Sequence, residues 1–222
     1  MILADHQIIE AYKNSDLSIE PFIEKQVQPA SYDLLVGEEA VITSSSGVID
    51  VKKSGFIKLK PGDFAILISN EIVRLGPNYA ARFGLRSSYA RKGLIATTGP
   101  QIDPGFHGRL IVGITNLTPH EVSIAHLDKF LTIEFHKLEK AALHPYDGKY
   151  QKRMNLTSEE FEIVAQKAGV PLVKVMESVD SLKNEVHALS SSSKTVAWVI
   201  GIGFTVMAVV MAAMAVIVSN GS

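Results

Sequence analysis

The sequence predicts a mainly β head, followed by a helical stalk and a single C-terminal transmembrane helix. Three observations indicate this order. Short alternating apolar segments recur between turn residues over the first two thirds of the chain, apolar residues then recur at helical spacing, and the last 28 residues carry no charge. We place the head at residues 1–153, the stalk at 154–194 and the membrane helix at 195–218.

Composition excludes several classes of protein. The chain has 222 residues and a net charge of −1, whereas proteins that bind nucleic acid carry a clear excess of Lys and Arg on one face. It has no cysteine. Disulfides and cysteine-based zinc sites are therefore excluded, including the zinc site of the zinc-dependent nucleobase deaminases.

The head begins with a predicted short helix within residues 3–13, whose apolar positions are Ile8, Ile9 and Tyr12. Short strands follow between turn signals such as Pro61-Gly62-Asp63. They are predicted at residues 57–59, 64–68, 82–86, 110–115, 122–124 and 131–135. Regularly spaced short strands predict a sandwich or a barrel.

One polar stretch interrupts these strands. It supplies two guanidinium groups and two hydroxyls within six residues, the donors that phosphate oxygens need, from Arg86, Ser87, Ser88 and Arg91. Asp103 then opens Asp-Pro-Gly, a turn sequence that holds its carboxylate at a strand end. Taken separately, the first feature is also typical of a solvated strand edge and the second of an ordinary turn.

Two further motifs accompany this stretch, Gln28-Pro29-Ala30-Ser31-Tyr32-Asp33-Leu34 and Tyr146-Asp147-Gly148-Lys149-Tyr150-Gln151. In this order the three motifs resemble the dCTP deaminase/dUTPase family over roughly residues 1–153. The resemblance implies a distorted, jelly-roll-like dUTPase-type β fold. It also implies a homotrimer that binds a pyrimidine nucleotide similar to dCTP or dUTP in a cleft between subunits.

The resemblance also implies roles for single residues. Arg86, Ser87, Ser88 and Arg91 match the phosphate-binding segment, and Asp103 matches the acidic residue that follows. Tyr146 and Lys149 match the segment that closes over the triphosphate, and Arg153 stands where that segment usually has Gln. Magnesium is expected to bridge the phosphates, because hard oxygen ligands suit it.

The resemblance fails at the catalytic position. Family members carry Glu ten residues after the Asp of Asp-Pro-Gly, where it activates the attacking water. This chain has Gly113 there, and glycine has no group that accepts a proton. In the dUTPase branch the Asp at the place of Asp103 activates water, so Asp103 is the candidate water activator here.

The stalk reads as two helices. Thr157-Ser158-Glu159-Glu160 fits a capping box that opens a short helix ending near Gly169. After Pro171, a coiled-coil seam is predicted at Leu172, Val175, Val179, Leu182, Val186 and Leu189. Its mixture of Val and Leu favours two strands, whereas the head implies three. The alternative is a helical hairpin packed on the head.

The membrane helix is predicted from the 24 uncharged residues 195–218. As a helix they span about 36 Å, against a hydrocarbon core of roughly 30 Å. Trp198 suits an interfacial position, and the basic flank at Lys194 keeps the head in the cytoplasm. We therefore expect a single-pass protein of the inner (cytoplasmic) membrane, in contact with the lipid bilayer.

Three functions follow from these observations. The first is a membrane-anchored nucleotide sensor or effector that has lost the deaminase glutamate. The second is an active dCTP deaminase or dUTP diphosphatase. The third is a structural trimeric membrane protein whose pocket no longer binds nucleotide.

Overall fold

The computed structural model describes residues 1–45, 47–97, 99–167 and 181–185. The chain divides into two compact units, Met1–Pro171 and Leu172–Ser222. The fold below is that of the first unit. In the second, residues 181–185 are helical.

The first unit is mainly β, as predicted. Its strands are β1 (Leu17–Glu20), β2 (Val27–Gln28), β3 (Ser31–Ile42), β4 (Ile49–Asp50), β5 (Phe56–Leu59), β6 (Phe64–Leu75), β7 (Tyr79–Leu85), β8 (Leu94–Ala96), β9 (Gln101–Ile102), β10 (His107–Asn116), β11 (Val122–Ala125) and β12 (Lys129–Lys137). Its helices are α1 (Asp5–Lys13), α2 (Val51–Ser54), α3 (Ser87–Ala90) and α4 (Ser158–Lys167), with a 3-10 turn at Glu24–Gln26. The predicted first helix and each of the six predicted strands are confirmed.

The strands form an antiparallel sheet that runs in the order β8, β10, β6, β3, β12, β7, β9. Strand β1 pairs with β6, both β2 and β4 pair with β3, and β5 and β11 form a separate two-stranded sheet. Strand β3 joins the two halves, because residues 32–35 pair with β12 while residues 36–42 pair with β6. The path of β3 therefore decides how one half of the sheet lies against the other.

A glycine lies where β3 passes from one half to the other. The register shifts between Val36 and Ala40, and a Cβ on Gly37 would lie 2.7 Å from the carbonyl oxygens of Ile68 and Ser69. Only glycine allows so close an approach of two backbones. The core then fills from both halves, with Tyr32, Phe130 and Phe135 among its largest buried side chains.

Helix α4 covers part of the sheet. A second apolar cluster joins Val41, Phe64, Ile66 and Ile68 of the sheet to Leu156 and Val164. Part of the predicted capping box is present, since the Thr157 backbone N–H donates to Glu160 Oε2 at 2.7 Å, and Thr157 Oγ1 donates to the same oxygen at 2.7 Å. The first helix of the predicted stalk thus packs on the head, whereas the second helix of the alternative hairpin lies mostly outside the described residues.

The remaining predictions for the C-terminal third fall mostly outside the described residues. The coiled-coil seam at 172–189 is described only at residues 181–185, and the apolar run at 195–218 is not described. Within the ranges that the structure describes, none of the helices is long and apolar enough to cross a membrane.

A buried carboxyl lies on β6, between Ile68 and Ile72, where the pairing of β6 with β10 shifts register. Glu71 is fully buried, and its Oε2 accepts a hydrogen bond from the Leu35 backbone N–H at 2.9 Å, whereas its Oε1 has no hydrogen-bond partner among the described residues. Burial raises the pKa of Glu71 to about 7, although the Leu35 bond and the charge of Arg109 oppose the rise. The folded protein therefore binds this proton more tightly than the unfolded chain does.

This burial predicts a specific pH dependence of stability. The contribution of Glu71 is fully present below the unfolded pKa near 4.5 and is lost as the pH rises to about 7. The loss amounts to about 3 kcal/mol. Glu71→Gln keeps the side chain neutral, so we expect its unfolding midpoint to exceed that of the unmodified protein at pH 8 but not at pH 5. Thermal unfolding measures this, with exposed Glu139→Gln as control; parallel curves for the unmodified protein and Glu71→Gln would contradict it.

Candidate functional site

The predicted phosphate-binding segment begins at the end of β7. Arg86 is held by a buried carboxylate, because its Nε lies 3.3 Å from Asp33 Oδ1, which also accepts a hydrogen bond from Thr132 Oγ1 at 3.1 Å. Lys129 Nζ lies 3.5 Å from the other oxygen of Asp33. Asp33 is only 1% exposed and therefore fixes the position of Arg86 in the fold.

The rest of the segment is presented to solvent. Ser87 and Ser88 open the short helix α3, and Arg91 follows its last residue; all three are exposed. Buried Tyr89 anchors this helix by donating its hydroxyl hydrogen to Asp128 Oδ2 at 2.8 Å. Burial and that hydrogen bond raise the pKa of Tyr89, which keeps the hydroxyl protonated as a donor. The exposed hydroxyls and guanidinium thus stand on an anchored turn.

Arg86 and Ser87 line a pocket of about 520 Å³, which we call the arginine pocket. Its other walls come from β7, Pro100 and β12, and include Glu134. Neither Asp103, Gly113 nor Tyr146 lines it. The cationic segment is therefore separate, within one chain, from the rest of the predicted site.

Those other residues line a larger pocket of about 580 Å³, which we call the main pocket. One side is apolar and is formed by Phe64, Ile66, Phe83, Phe106, Ile111 and Ile163. Its polar groups include Thr97, Gln101, Asp103, Arg109 and Glu160. An apolar cavity with a few convergent polar groups is the usual form of a small-molecule site.

Asp103 lies at the edge of the main pocket, as its turn sequence predicts. Its side chain is exposed, and its Oδ1 accepts a hydrogen bond from Gln101 Nε2 at 2.6 Å. Gly105, which has a φ of +86°, completes the turn. A Cβ there would lie 2.6 Å from Pro145 Cβ, so only glycine allows the C-terminal segment to approach so closely.

Gly113 lies on β10 in the wall of the main pocket. A Cβ at this position would lie 2.7 Å from Thr97 Oγ1, and 2.9 and 3.0 Å from two ring carbons of Phe64. The place of a side chain is thus taken by two neighbouring side chains. Arg109, on the same strand, leaves its buried Nε without a hydrogen-bond partner among the described residues.

The C-terminal segment of the head folds over the Asp103 turn. Tyr146 packs against Phe106 with ring centroids 5.9 Å apart, and its backbone N–H donates to Pro104 O at 2.7 Å. Gln151 Nε2 donates to the carbonyl oxygens of Gly105 and Tyr146 at 2.9 and 3.1 Å. One chain therefore brings Asp103 and Tyr146 together.

Lys149 and Arg153 are engaged by acidic residues of α4. Lys149 forms an ion pair with Glu159, and Arg153 pairs with both Glu159 and Glu160. The hydrogen bond from Lys149 lowers the pKa of Glu159, and the same bond raises the pKa of Lys149. Lys149 and Arg153, which were both predicted to bind the nucleotide, are thus already paired with carboxylates.

The described residues do not build a metal cage. In the described ranges, no three His, Cys, Asp or Glu side chains lie close enough to hold an ion together. Asp33 Oδ2 is buried and accepts no hydrogen bond among these residues, but Lys129 stands beside it.

Comparison with known proteins agrees with this architecture. Residues 2–138 match the family model described as dCTP deaminase-like. The chain belongs to the dCTP deaminase-like family. Similarity to dCTP deaminases from two distant organisms extends beyond those residues. The dCTP deaminase of Thermococcus sibiricus is 36% identical over 156 residues, which cover 70% of this chain and 95% of that protein. The dUMP-forming dCTP deaminase of Aquifex aeolicus is 28% identical over 161 residues, covering 68% and 89%.

Among solved structures, the 2'-deoxycytidine 5'-triphosphate deaminase of Agrobacterium tumefaciens superposes on this dCTP deaminase-like chain with a TM-score of 0.52. The two sequences are 23% identical, and the match covers 60% of this chain and 47% of that one. This likeness supports the fold.

Several residues of the site could not be assigned from sequence. Asp33 was recognised only as part of a motif, because its burial and its contact with Arg86 arise from the fold. Thr97 and Phe64 carried no signal, because only the pairing of strands brings them to Gly113. Glu159 and Glu160 were assigned to a helix cap, and their contacts with Lys149 and Arg153 depend on how α4 docks.

Proposed function

We propose that this member of the dCTP deaminase-like family binds a pyrimidine nucleoside triphosphate without deaminating it, as a membrane-anchored nucleotide sensor or effector. The observation that carries the proposal is Gly113 in the wall of the main pocket. No side chain at that position can accept a proton, and Thr97 and Phe64 take up the room that one would need.

Binding is supported by the groups that remain. The exposed hydroxyls of Ser87 and Ser88 and the guanidinium groups of Arg86 and Arg91 are suited to phosphate oxygens. The main pocket has the volume and the apolar wall that a nucleoside needs. Magnesium would be held mainly by phosphate oxygens and water, and would offset the negative charge of the phosphates.

A homotrimer would complete this site. The arginine pocket and the main pocket have only Phe83 in common, so one chain does not place Arg86 and Asp103 around one ligand. A second copy that brings its arginine pocket to the main pocket would supply the missing cations. The resemblance stated above is the basis for preferring three copies.

The membrane anchor is proposed from sequence. Residues 195–218 are uncharged and long enough to cross the hydrocarbon core. We place the protein in the inner membrane as a single-pass protein with its head in the cytoplasm, because the basic flank lies at Lys194. The bilayer would then be the partner on which a sensor acts.

A second candidate function is an active dCTP deaminase or dUTP diphosphatase. It is favoured by the exposed carboxylate of Asp103, which Gln101 orients at the edge of the main pocket. The compared relatives are named as dCTP deaminases, one of them dUMP-forming. In this candidate Asp103 activates the water.

Titration and product analysis distinguish the two. The full chain in detergent is titrated with dCTP and dUTP in the presence of Mg²⁺, and the mixtures are assayed for ammonia, dUTP and dUMP. We expect saturable binding and none of these products from dCTP. Ammonia release that is lost in Asp103→Ala would establish the enzyme instead.

Arg91→Ala is the variant that tests binding in the same assay. Losing one charge-assisted bond costs roughly 1.5–3 kcal/mol, so we expect binding about ten- to a hundredfold weaker. Arg74→Ala is the matched control, since Arg74 is exposed and lines neither pocket.

A further inference from the structure

The first turn of α4 places two carboxylates on the two cations of the C-terminal segment. Glu159 contacts Lys149, and its other oxygen lies 3.5 Å from Arg153 Nη2. Glu160 Oε2 lies 3.3 Å from Arg153 Nη1. Carboxylate and phosphate oxygens are alternative acceptors for the same guanidinium and ammonium groups. The helix therefore occupies donors that an anionic ligand would use.

Glu160 also changes the character of the main pocket. It is 2% exposed, lines the pocket wall and accepts both hydrogen bonds of the Thr157 cap. The Arg153 side chain beside it is 17% exposed, so this pair is shielded from solvent. Charges in such a place are screened less than surface charges. A phosphate that approaches this wall therefore meets the carboxylate of Glu160, and Arg153 is already paired with that carboxylate.

Besides these ion pairs, α4 is held by apolar packing and by a hydrogen bond from the residue before its cap. Val164 and Leu156 pack in the cluster that contains Phe64 and Ile66, and the Leu156 backbone N–H donates to Glu39 Oε2 at 2.7 Å. Phe64 is also the side chain that fills the space beside Gly113. Because Glu160 and Ile163 of α4 also line the main pocket, displacing α4 would open that wall of the pocket.

We propose that α4 is an internal competitor of the nucleotide, whose phosphates take Lys149 and Arg153 from Glu159 and Glu160 and so release the helix from the head. This inference rests on the proposed function, because it needs a phosphate-bearing ligand in the main pocket. Docking of α4 then weakens nucleotide binding by a certain free energy, and bound nucleotide weakens the docking of α4 by the same free energy.

The test uses the full chain in detergent, with dCTP and dUTP as the probes. Glu159→Gln removes the exposed ion pair with Lys149, and Glu159→Gln/Glu160→Gln removes both carboxylates. Glu162→Gln is the matched control, because it makes the same charge change on an exposed position of the same helix. Affinities come from titration, and the exposure of α4 comes from hydrogen exchange of residues 158–167 with and without nucleotide.

We expect the double variant to bind nucleotide roughly fivefold or more tightly than the unmodified chain, with a smaller gain for Glu159→Gln and none for Glu162→Gln. Saturating nucleotide should also speed exchange in α4 of the unmodified chain. Equal or weaker binding by both variants, with α4 protection unchanged by bound nucleotide, would overturn the inference while the proposed function stands. If neither the unmodified chain nor the variants bind dCTP or dUTP, the proposed function itself fails.

Discussion

Gly113→Glu is expected to destabilise the protein and, by itself, to produce no deaminase activity. The new Cβ would lie within 3.0 Å of Thr97 Oγ1 and the Phe64 ring, so both side chains must move. Overpacking of this kind typically costs about 1–3 kcal/mol. Thermal unfolding measures the loss, and Gly113→Ala, which adds only the Cβ, separates the steric part from the effect of the carboxylate.

The double variant Gly113→Glu/Phe64→Leu tests whether the new carboxylate can act once the clash with Phe64 is removed. Leucine removes the ring carbons that the new Cβ would meet and leaves the Thr97 Oγ1 contact, so we expect the pair to recover part of the stability lost in Gly113→Glu. A general base typically contributes 10²–10⁴-fold, so ammonia release from dCTP should then exceed that of the unmodified protein by at least about a hundredfold. Phe64→Leu is the control. A stable double variant that binds dCTP but releases no ammonia would mean that more than the base has been lost.

Ending the chain at Lys194 is expected to convert a membrane protein into a soluble trimer. The variant removes all of the apolar run at 195–218 and none of the charged residues. Alkaline carbonate should leave the intact protein in the membrane pellet, while the truncated chain stays in the supernatant with the mass of three chains by light scattering. Recovery of the intact protein in the supernatant would contradict the anchor, and a monomeric or dimeric head would contradict the proposed trimer.

The fold was predictable where residue patterns act locally. Alternation of apolar residues located β6, β10 and β12, and the sequence Thr157 to Glu160 located the start of α4, since a cap needs only neighbours in the chain. The register shift in β3, between Val36 and Ala40, was not predictable. It depends on Gly37 meeting the backbone of β6, a contact between segments that are distant in sequence.

The same distinction between local patterns and distant contacts applies to the candidate site. Ser87, Ser88 and Arg91 were selected because their chemistry is visible in the sequence; they are exposed, and their role in binding stays a prediction. The pairing of Lys149 and Arg153 with α4 was missed, because the apolar face formed by Phe161, Ile163 and Val164 decides where the helix docks. A charge pattern alone does not show which carboxylate a lysine will meet.

The close contact of Gly105 with Pro145 has a further consequence for the energetics of assembly. Because the Asp103 turn and Tyr146 are joined within one chain, this part of the site is preorganised before any second copy is bound. In the proposed trimer the cationic segment, which Asp33 and Tyr89 already anchor, would also be preorganised, so less conformational entropy would be lost on assembly than if separate mobile segments were ordered together. A side chain at position 105 would meet Pro145 and would also need a backbone conformation with a φ of +86°, so it would disturb this preorganised contact.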